Sequence, residues 1–207
     1  MSVSTDVQFL PANEARRVRW RNDLGWTREI HAEPASDGGG WRWRISIAEI
    51  GEAAAFSRFD GAQRELMLLS GDGLMLRFDD GEVVDLEPPY ARVRFSGERG
   101  LQGDPGGPGV SALNLMWRPD LVEAATWLRP LVGTMLVFVD PRDCWLVHVL
   151  AGQACLARSA LPPLERGDTL LLRASELRSR HVLDGGGSLL LAKFSDATRA
   201  SPLLGAL

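Results

Sequence analysis

The residues best suited to bind a ligand are arginines that lie near small polar residues in segments of alternating polarity. Arg44 and Ser46 share one side of the run Trp41–Ile50, and Arg64 follows the turn Phe59–Ala62. A guanidinium group has a planar fork of donors that matches a carboxylate, and each charge-assisted hydrogen bond contributes about 1.5–3 kcal/mol. An interior location would therefore suit a small carboxylate. The alternative is a solvated sheet face, where pairing with Asp or Glu contributes less than about 1 kcal/mol. Spacing alone leaves both open.

A metal site would have to use other residues. Cys144 and His148 have the same parity in one candidate strand, and with His181 they could form a three-ligand set for zinc or iron. The alternative is that the thiol and the imidazole face an interior by strand parity alone. No Gly-x-Ser-x-Gly segment is present, and the runs Gly38–Gly40 and Gly185–Gly187 are typical of turns, since a phosphate-binding loop opens a helix.

Composition narrows the class of protein. The chain has 207 residues, 23 Lys+Arg and 27 Asp+Glu, a formal charge of −4 and 45% hydrophobic residues, which are ordinary globular values. The basic residues are scattered, so we expect no nucleic-acid partner. No apolar run approaches the roughly 20 residues of a membrane span, and the N-terminus lacks the features of a signal peptide. We therefore expect a cytoplasmic protein, with Cys144 and Cys155 reduced.

The elements that must position these residues are mostly strands. The 22 glycines and 12 prolines separate short runs of period two, which predicts an all-β fold. The segments Pro11–Arg16 and Arg118–Trp127 are predicted as short helices, and Arg99–Gly109 as a loop. The predicted strands are Trp41–Ile50, Arg64–Leu69, Leu74–Phe78, Glu82–Leu86, Ala91–Phe95, Met135–Val139, Trp145–Leu150, Ala154–Ala157, Thr169–Arg173 and Ser188–Phe194.

A weak internal sequence repeat predicts that the chain contains two similar halves. Leu68–Leu76 aligns with Val149–Ala157, which places Gly71 and Gly152 in equivalent positions. Strand, glycine turn and strand, used twice, is compatible with two small antiparallel β-barrels, because closing a sheet removes its exposed edges. We place these barrels at residues 1–110 and 111–207.

Five motifs in this order resemble the HutD/Ves family over about residues 8–195. They are Trp20–Ile30, Trp43–Glu49, Phe56–Arg64 with Leu69–Gly71, Arg94–Gly97 and Leu113–Met116. The resemblance implies an RmlC-like cupin fold with two barrels in one chain, between which strands can be exchanged. It also implies an association with bacterial histidine utilisation, in which HutD resembles a non-enzymatic regulator. The implied partner is a small anionic metabolite, such as urocanate or formylglutamate.

The resemblance also implies which residues bind the ligand. The positions that match the family's motifs are Asn22, Thr27, Arg28, Arg44, Ser46, Arg64 and Asn114. The chain departs from the family pattern at Leu24 and Trp26, which are bulkier and could narrow the pocket, and at Gln63 and Leu113.

The cupin comparison bears on the metal as well. Metal cupins place a glutamate ligand seven residues before a turn glycine, and Arg64 occupies that position relative to Gly71. The resemblance therefore implies a metal-free, cofactor-free protein with Arg64 as charge anchor. One alternative is a cupin-type isomerase, lyase or dioxygenase that uses a metal at Cys144, His148 and His181 or uses Glu49 as a base. Another is a structural protein that forms a homodimer.

Overall fold

The fold is all-β. A computed structural model describes residues 7–20, 25–36 and 38–197, and in that part of the chain the only helix is the 3-10 turn Ala12–Glu14. The strands are β1 (Val7–Leu10), β2 (Arg16–Arg19), β3 (Gly25–Pro34), β4 (Trp41–Ile50), β5 (Ala54–Ala55), β6 (Gln63–Ser70), β7 (Leu74–Phe78), β8 (Val83–Leu86), β9 (Arg92–Ser96), β10 (Leu101–Pro105), β11 (Val110–Trp117), β12 (Val122–Val139), β13 (Cys144–Leu156), β14 (Thr169–Arg173) and β15 (Ser179–Asp196). No helix within the described ranges could cross a lipid bilayer.

Two compact units make up the chain. The first unit contains residues 15–119, and the second combines residues up to Glu14 with those from Asp120 onward. The sequence interpretation instead placed a boundary after residue 110. Val110 begins β11, which pairs with β4 on one side and β6 on the other, so this strand is part of the first unit. β1 pairs with β14 and so belongs to the second.

The first unit contains two antiparallel sheets with an apolar core between them. Their strand orders are β2-β3-β4-β11-β6-β9 and β5-β10-β7-β8. Leu66 and Leu68 of β6 share one buried cluster with Leu74 and Leu76 of β7, although these successive strands lie in different sheets. Neither sheet closes on itself within the described residues, so the expected closed barrel is replaced by two open sheets. Gly71, at a φ of 94°, lies where the chain passes between the sheets.

The second unit is a single sheet with strand order β1-β14-β13-β15-β12. Leu131 of β12 and Leu170 of β14 lie in the same buried cluster, although these strands are not neighbours in the sheet, so the sheet must curl. Gly152 lies inside β13 at a φ of 78°, and a Cβ there would collide with the backbone of Gly186. The two glycines of the internal repeat, Gly71 and Gly152, thus share a left-handed φ, but Gly71 lies between strands and Gly152 lies within a strand.

Three local predictions were wrong or incomplete. The helix expected over Arg118–Trp127 is instead the beginning of β12, which pairs with β15 from Val122 to Val139. A long hydrogen-bonded ladder overrides the modest helix preference of Ala and Glu. The expected loop Arg99–Gly109 contains β10. The expected helix Pro11–Arg16 is only a three-residue 3-10 turn. Asp79–Gly81 forms the tight turn that joins β7 and β8 in a hairpin.

Candidate functional site

A cavity of about 750 Å³ lies over the inner face of the six-stranded sheet in the first unit. This volume is within the range of small-molecule sites. Its lining consists of Arg16, Val18, Arg19, Trp20, Thr27, Glu29, Arg44, Ser46, Ala48, Ala55, Phe56, Ser57, Phe59, Arg64, Asn114 and Met116.

Strand register places the polar residues in two adjacent rows across the sheet. In one row, Ser46 pairs with Glu29 on β3 and with Asn114 on β11. In the next row, Met116 is paired with Arg44 on β4 and with Arg64 on β6. Side chains two residues apart on a strand share a face, so both rows face the same cavity. Four strands that are distant in sequence thereby build one site.

Arg64 is the most buried charged residue of the cavity. It is 1% exposed, and its Nε donates to Asn114 Oδ1 at 3.3 Å while Nη1 donates to the backbone oxygen of Ser57 at 3.0 Å. Both acceptors are neutral. Within the described ranges no carboxylate forms an ion pair with this guanidinium. A buried charge without a counter-charge is unfavourable, so this arginine is suited to receive an anion.

Aromatic rings surround the guanidinium. The centroids of Phe56, Phe59 and Phe95 lie 5.7, 5.4 and 5.2 Å from Arg64 Cζ. Cation–π attraction offsets part of the desolvation. Burial, and secondarily the positive charge of Arg44, lowers the pKa of Arg64 to about 10. The guanidinium therefore remains cationic at neutral pH.

Arg44 is the second arginine of the inner cavity, and it has a carboxylate partner. Its Nη2 lies 2.8 Å from Glu29 Oε2, and the two side chains are 18% and 41% exposed. Arg44 Nε is buried and donates no hydrogen bond within the described part of the chain. Arg44 therefore lines the cavity with its charge already paired.

The cavity lining is positively charged. Within the described part of the chain it contains Arg16, Arg19, Arg44 and Arg64 but only one acidic residue, Glu29. Arg16 and Arg19 belong to the exposed strand β2, whereas the other two arginines are deeper. Converging positive charge at a concave surface raises the local concentration of anions.

Five of the seven predicted ligand residues meet at this cavity. They are Thr27, Arg44, Ser46, Arg64 and Asn114. Thr27 Oγ1 accepts a hydrogen bond from Trp20 Nε1 at 2.8 Å, which fixes one wall. Asn22, also predicted, lies outside the described residues.

Arg28 does not line the cavity. It follows Thr27 on β3, so its side chain lies on the opposite face of the sheet. There its Nε is 2.9 Å from Glu49 Oε1, and the same carboxylate accepts a hydrogen bond from Arg17 at 2.6 Å. Glu49, considered from the sequence as a catalytic base, is thus also absent from this cavity.

The structure does not bring the candidate metal ligands together. His148 Nδ1 is 2.8 Å from Thr169 Oγ1, and His181 Nε2 is 3.0 Å from Ser179 Oγ. The register pairs His148 with Leu190, nine residues along β15 from His181. In the described part of the chain no group of three or more His, Cys, Asp or Glu side chains is placed to hold a metal ion.

Several cavity residues were missed from the sequence. Glu29 has the same strand parity as Thr27, and that signal could have identified it. Phe56 and Phe59 lie outside strands β5 and β6, where no periodicity indicates direction.

The segment that carries these phenylalanines is held in place by Gly97. The Phe59 N–H donates to Gly97 O at 2.8 Å, and the Gly97 N–H donates to Ala62 O at 2.7 Å. A Cβ at Gly97 would lie 2.6 Å from Phe59 O, so only glycine fits. Two of the motifs quoted from the sequence therefore meet at the site.

Comparison with known sequences identifies relatives. The HutD family model matches residues 12–191. A Pseudomonas putida protein described as an uncharacterized 21.2 kDa protein in the hutC 3′ region is 34% identical over 120 residues, or 58% of this chain and 63% of that protein. Protein Ves of Escherichia fergusonii is 36% identical over 96 residues, or 45% of this chain and 46% of that protein. The chain thus matches 46–63% of the length of these two relatives.

Comparison with solved structures identifies the fold. HutD from Pseudomonas fluorescens, solved in a formate condition, superposes with a TM-score of 0.80 at 24% identity, covering 92% of this chain and 98% of that one. The Escherichia coli pirin YhhW in complex with nickel(II) has a TM-score of 0.65 at 8% identity, covering 92% of this chain and 99% of that one. At these identities the likeness shows a cupin-like fold alone.

Proposed function

The chain belongs to the HutD family, and we propose that it binds a small carboxylate in the cavity of its first unit as a non-enzymatic regulator of histidine utilisation. The link to histidine utilisation rests on the family and on the relative named for its position beside hutC. The ligand class rests on the chemistry of the cavity.

The observation that carries the proposal is the state of Arg64. Its guanidinium is buried, has only neutral hydrogen-bond acceptors among the described residues, and lines a cavity of about 750 Å³. A carboxylate can take two parallel hydrogen bonds from such a fork and at the same time neutralise its charge. Arg64 is therefore the charge anchor of the proposed site.

The neighbouring residues orient the ligand. Asn114 accepts from Arg64 Nε through Oδ1, which leaves its amide N–H₂ group able to donate to the ligand. Ser46 is the direct strand partner of Asn114 and offers a hydroxyl from the next strand. The phenylalanines and Trp20 supply apolar walls for the rest of the ligand. Charge, hydrogen-bond donors and an apolar wall together suit a carboxylate with an organic body.

A thermal-shift panel tests the proposal directly. It contains urocanate, formylglutamate, glutamate, formate and uncharged sugars. A one-site ligand at 100 times its Kd stabilises the folded protein by about 2.7 kcal/mol, which for a chain of this size raises Tm by about 5–11 °C. We expect such a shift from at least one carboxylate and none from the sugars.

Two variants locate the effect. Arg64→Ala should remove the carboxylate-induced shift, whereas Arg77→Ala removes an exposed arginine of β7 outside the cavity and should preserve it. The proposal fails if no carboxylate raises Tm, or if Arg64→Ala, still folded by circular dichroism, binds as well as the unmodified protein.

A further inference from the structure

We propose that Glu29 is a specificity-determining residue. It restricts the inner end of the cavity, which is the part lined by Arg44, Arg64 and Glu29, to a single ligand carboxylate. This inference rests on the proposed function, because it concerns the charge of the ligand that the same cavity accepts. Among the described residues, Glu29 is the only acidic one in the cavity lining, and it is not one of the ligand residues predicted from the sequence.

Glu29 is held in the cavity by defined contacts. It lies on β3 directly opposite Ser46, in the row that also contains Asn114. Its Oε2 is 2.8 Å from Arg44 Nη2. Arg44 belongs to the next row, together with Arg64, so the carboxylate is next to the arginines that would receive a ligand. Glu29 therefore already occupies the place of one anion.

The charges at the inner end add up to a single excess positive charge. Arg44 and Arg64 contribute two positive charges, and Glu29 contributes one negative charge. The ion pair neutralises Arg44, whereas the hydrogen-bond acceptors that the described residues offer Arg64 are both neutral. One ligand carboxylate at Arg64 makes the inner end electrically neutral. A second carboxylate close to the first would leave an excess negative charge and would be repelled by Glu29.

Glu29→Gln tests the charge with little change in shape. The amide oxygen of glutamine can still accept the hydrogen bond from Arg44, so the variant removes mainly the negative charge. Glu29 is 41% exposed, so its replacement does not empty a packed core. Glu49→Gln is the matched control. It removes the same charge from the same sheet, but on the opposite face, where Glu49 contacts Arg17 and Arg28.

The experiment compares a monocarboxylate with a compact dicarboxylate. Acetate and malonate are titrated separately into the unmodified protein, Glu29→Gln and Glu49→Gln, and the NMR signals of the arginine Nε–H groups report occupancy. Each ligand charge near Arg44 should gain about tenfold in affinity when Glu29 is neutralised. The ratio of malonate affinity to acetate affinity should therefore rise about tenfold in Glu29→Gln and stay within about twofold in Glu49→Gln.

The outcomes separate the two proposals. If acetate binds the unmodified protein but the affinity ratio is unchanged in Glu29→Gln, or rises equally in Glu49→Gln, Glu29 does not set the charge selectivity and the carboxylate site stands. If no carboxylate binds the unmodified protein at any concentration tested, the proposed function is wrong and this inference is wrong with it. Thermal unfolding of each variant checks that all three proteins are folded.

Discussion

Replacing Arg64 by methionine should stabilise the protein while it removes ligand binding. Methionine has a similar length, is flexible enough to fill the same space, and has no charge. Arg64 is buried, and no carboxylate of the described residues pairs with it. A charge kept in such a place for a ligand makes the unliganded protein less stable than it could be.

The magnitude follows from the pKa of Arg64. Burial and, secondarily, the charge of Arg44 lower this pKa from its ordinary value to about 10. That difference corresponds to about 3 kcal/mol against the charged form in the folded state. Methionine removes this term, which already contains the charge-assisted part of the two hydrogen bonds to Asn114 and Ser57. It also loses their neutral part, about 0.5–1.5 kcal/mol each. We expect a net gain of about 0–2 kcal/mol, or a rise in Tm of up to about 8 °C.

Urea unfolding without ligand measures the free energy of unfolding, and isothermal titration calorimetry with the best carboxylate from the panel measures binding. Arg64→Lys is the control, since it keeps the positive charge and should therefore show no gain in stability. Methionine should weaken binding at least 100-fold, which is the loss of about 2.7 kcal/mol expected for a desolvated charge pair. A fall of more than about 1 kcal/mol in the stability of Arg64→Met would refute the reasoning, because Arg64 would then be holding the fold together.

Four further results are expected. Asn114→Asp places a carboxylate beside Arg64 and should weaken anion binding at least tenfold by calorimetry, since the site then supplies its own counter-ion. Arg28→Ala should leave affinity within about twofold, because Arg28 lies on the other face of the sheet. Gly97→Ala should lower the free energy of unfolding by about 1–3 kcal/mol in urea, because its Cβ would lie 2.6 Å from Phe59 O. Carboxylate affinity should fall as pH rises through about 10, where Arg64 loses its proton in the folded state. Above that pH, up to the ordinary pKa of arginine, the unfolded state holds this proton more strongly than the folded state, so the contribution of Arg64 to the free energy of unfolding should rise with pH. An affinity that is constant up to pH 11, or an Arg28→Ala variant that does not bind, would contradict the respective prediction.

The strands could be predicted where bulky apolar residues alternate with polar or small ones. The sequence alternates in this way from Trp41 to Ala48, and the predicted strand Trp41–Ile50 is β4 with those bounds. The segment Arg118–Trp127 was wrongly predicted as a helix because its Ala and Glu residues weakly favour one. Its strand conformation instead depends on pairing with β15, about 70 residues away in the sequence. Barrel closure also could not be predicted, since alternation specifies a face for each side chain but does not specify which strands pair.

The candidate site could be predicted in part, because alternation along a strand assigns each side chain to one face. Alternation places Arg44 and Ser46 on one face, and both line the cavity. Parity also separates Arg28 from Thr27, although the motif presents them side by side. Phe56 and Phe59 could not be assigned a direction, because they lie in a segment without a repeating conformation that depends on contacts with Gly97.

The sequence by itself determined the all-β class, the family and the faces of its regular strands. These properties follow from local periodicity and from ordered motifs. Only the tertiary structure decided that no described carboxylate pairs with Arg64 while Arg44 is paired with Glu29, because those relations depend on the register between β3, β4, β11 and β6. The charge of a site is a sum over side chains brought together from distant strands, and no single segment of the chain contains that sum.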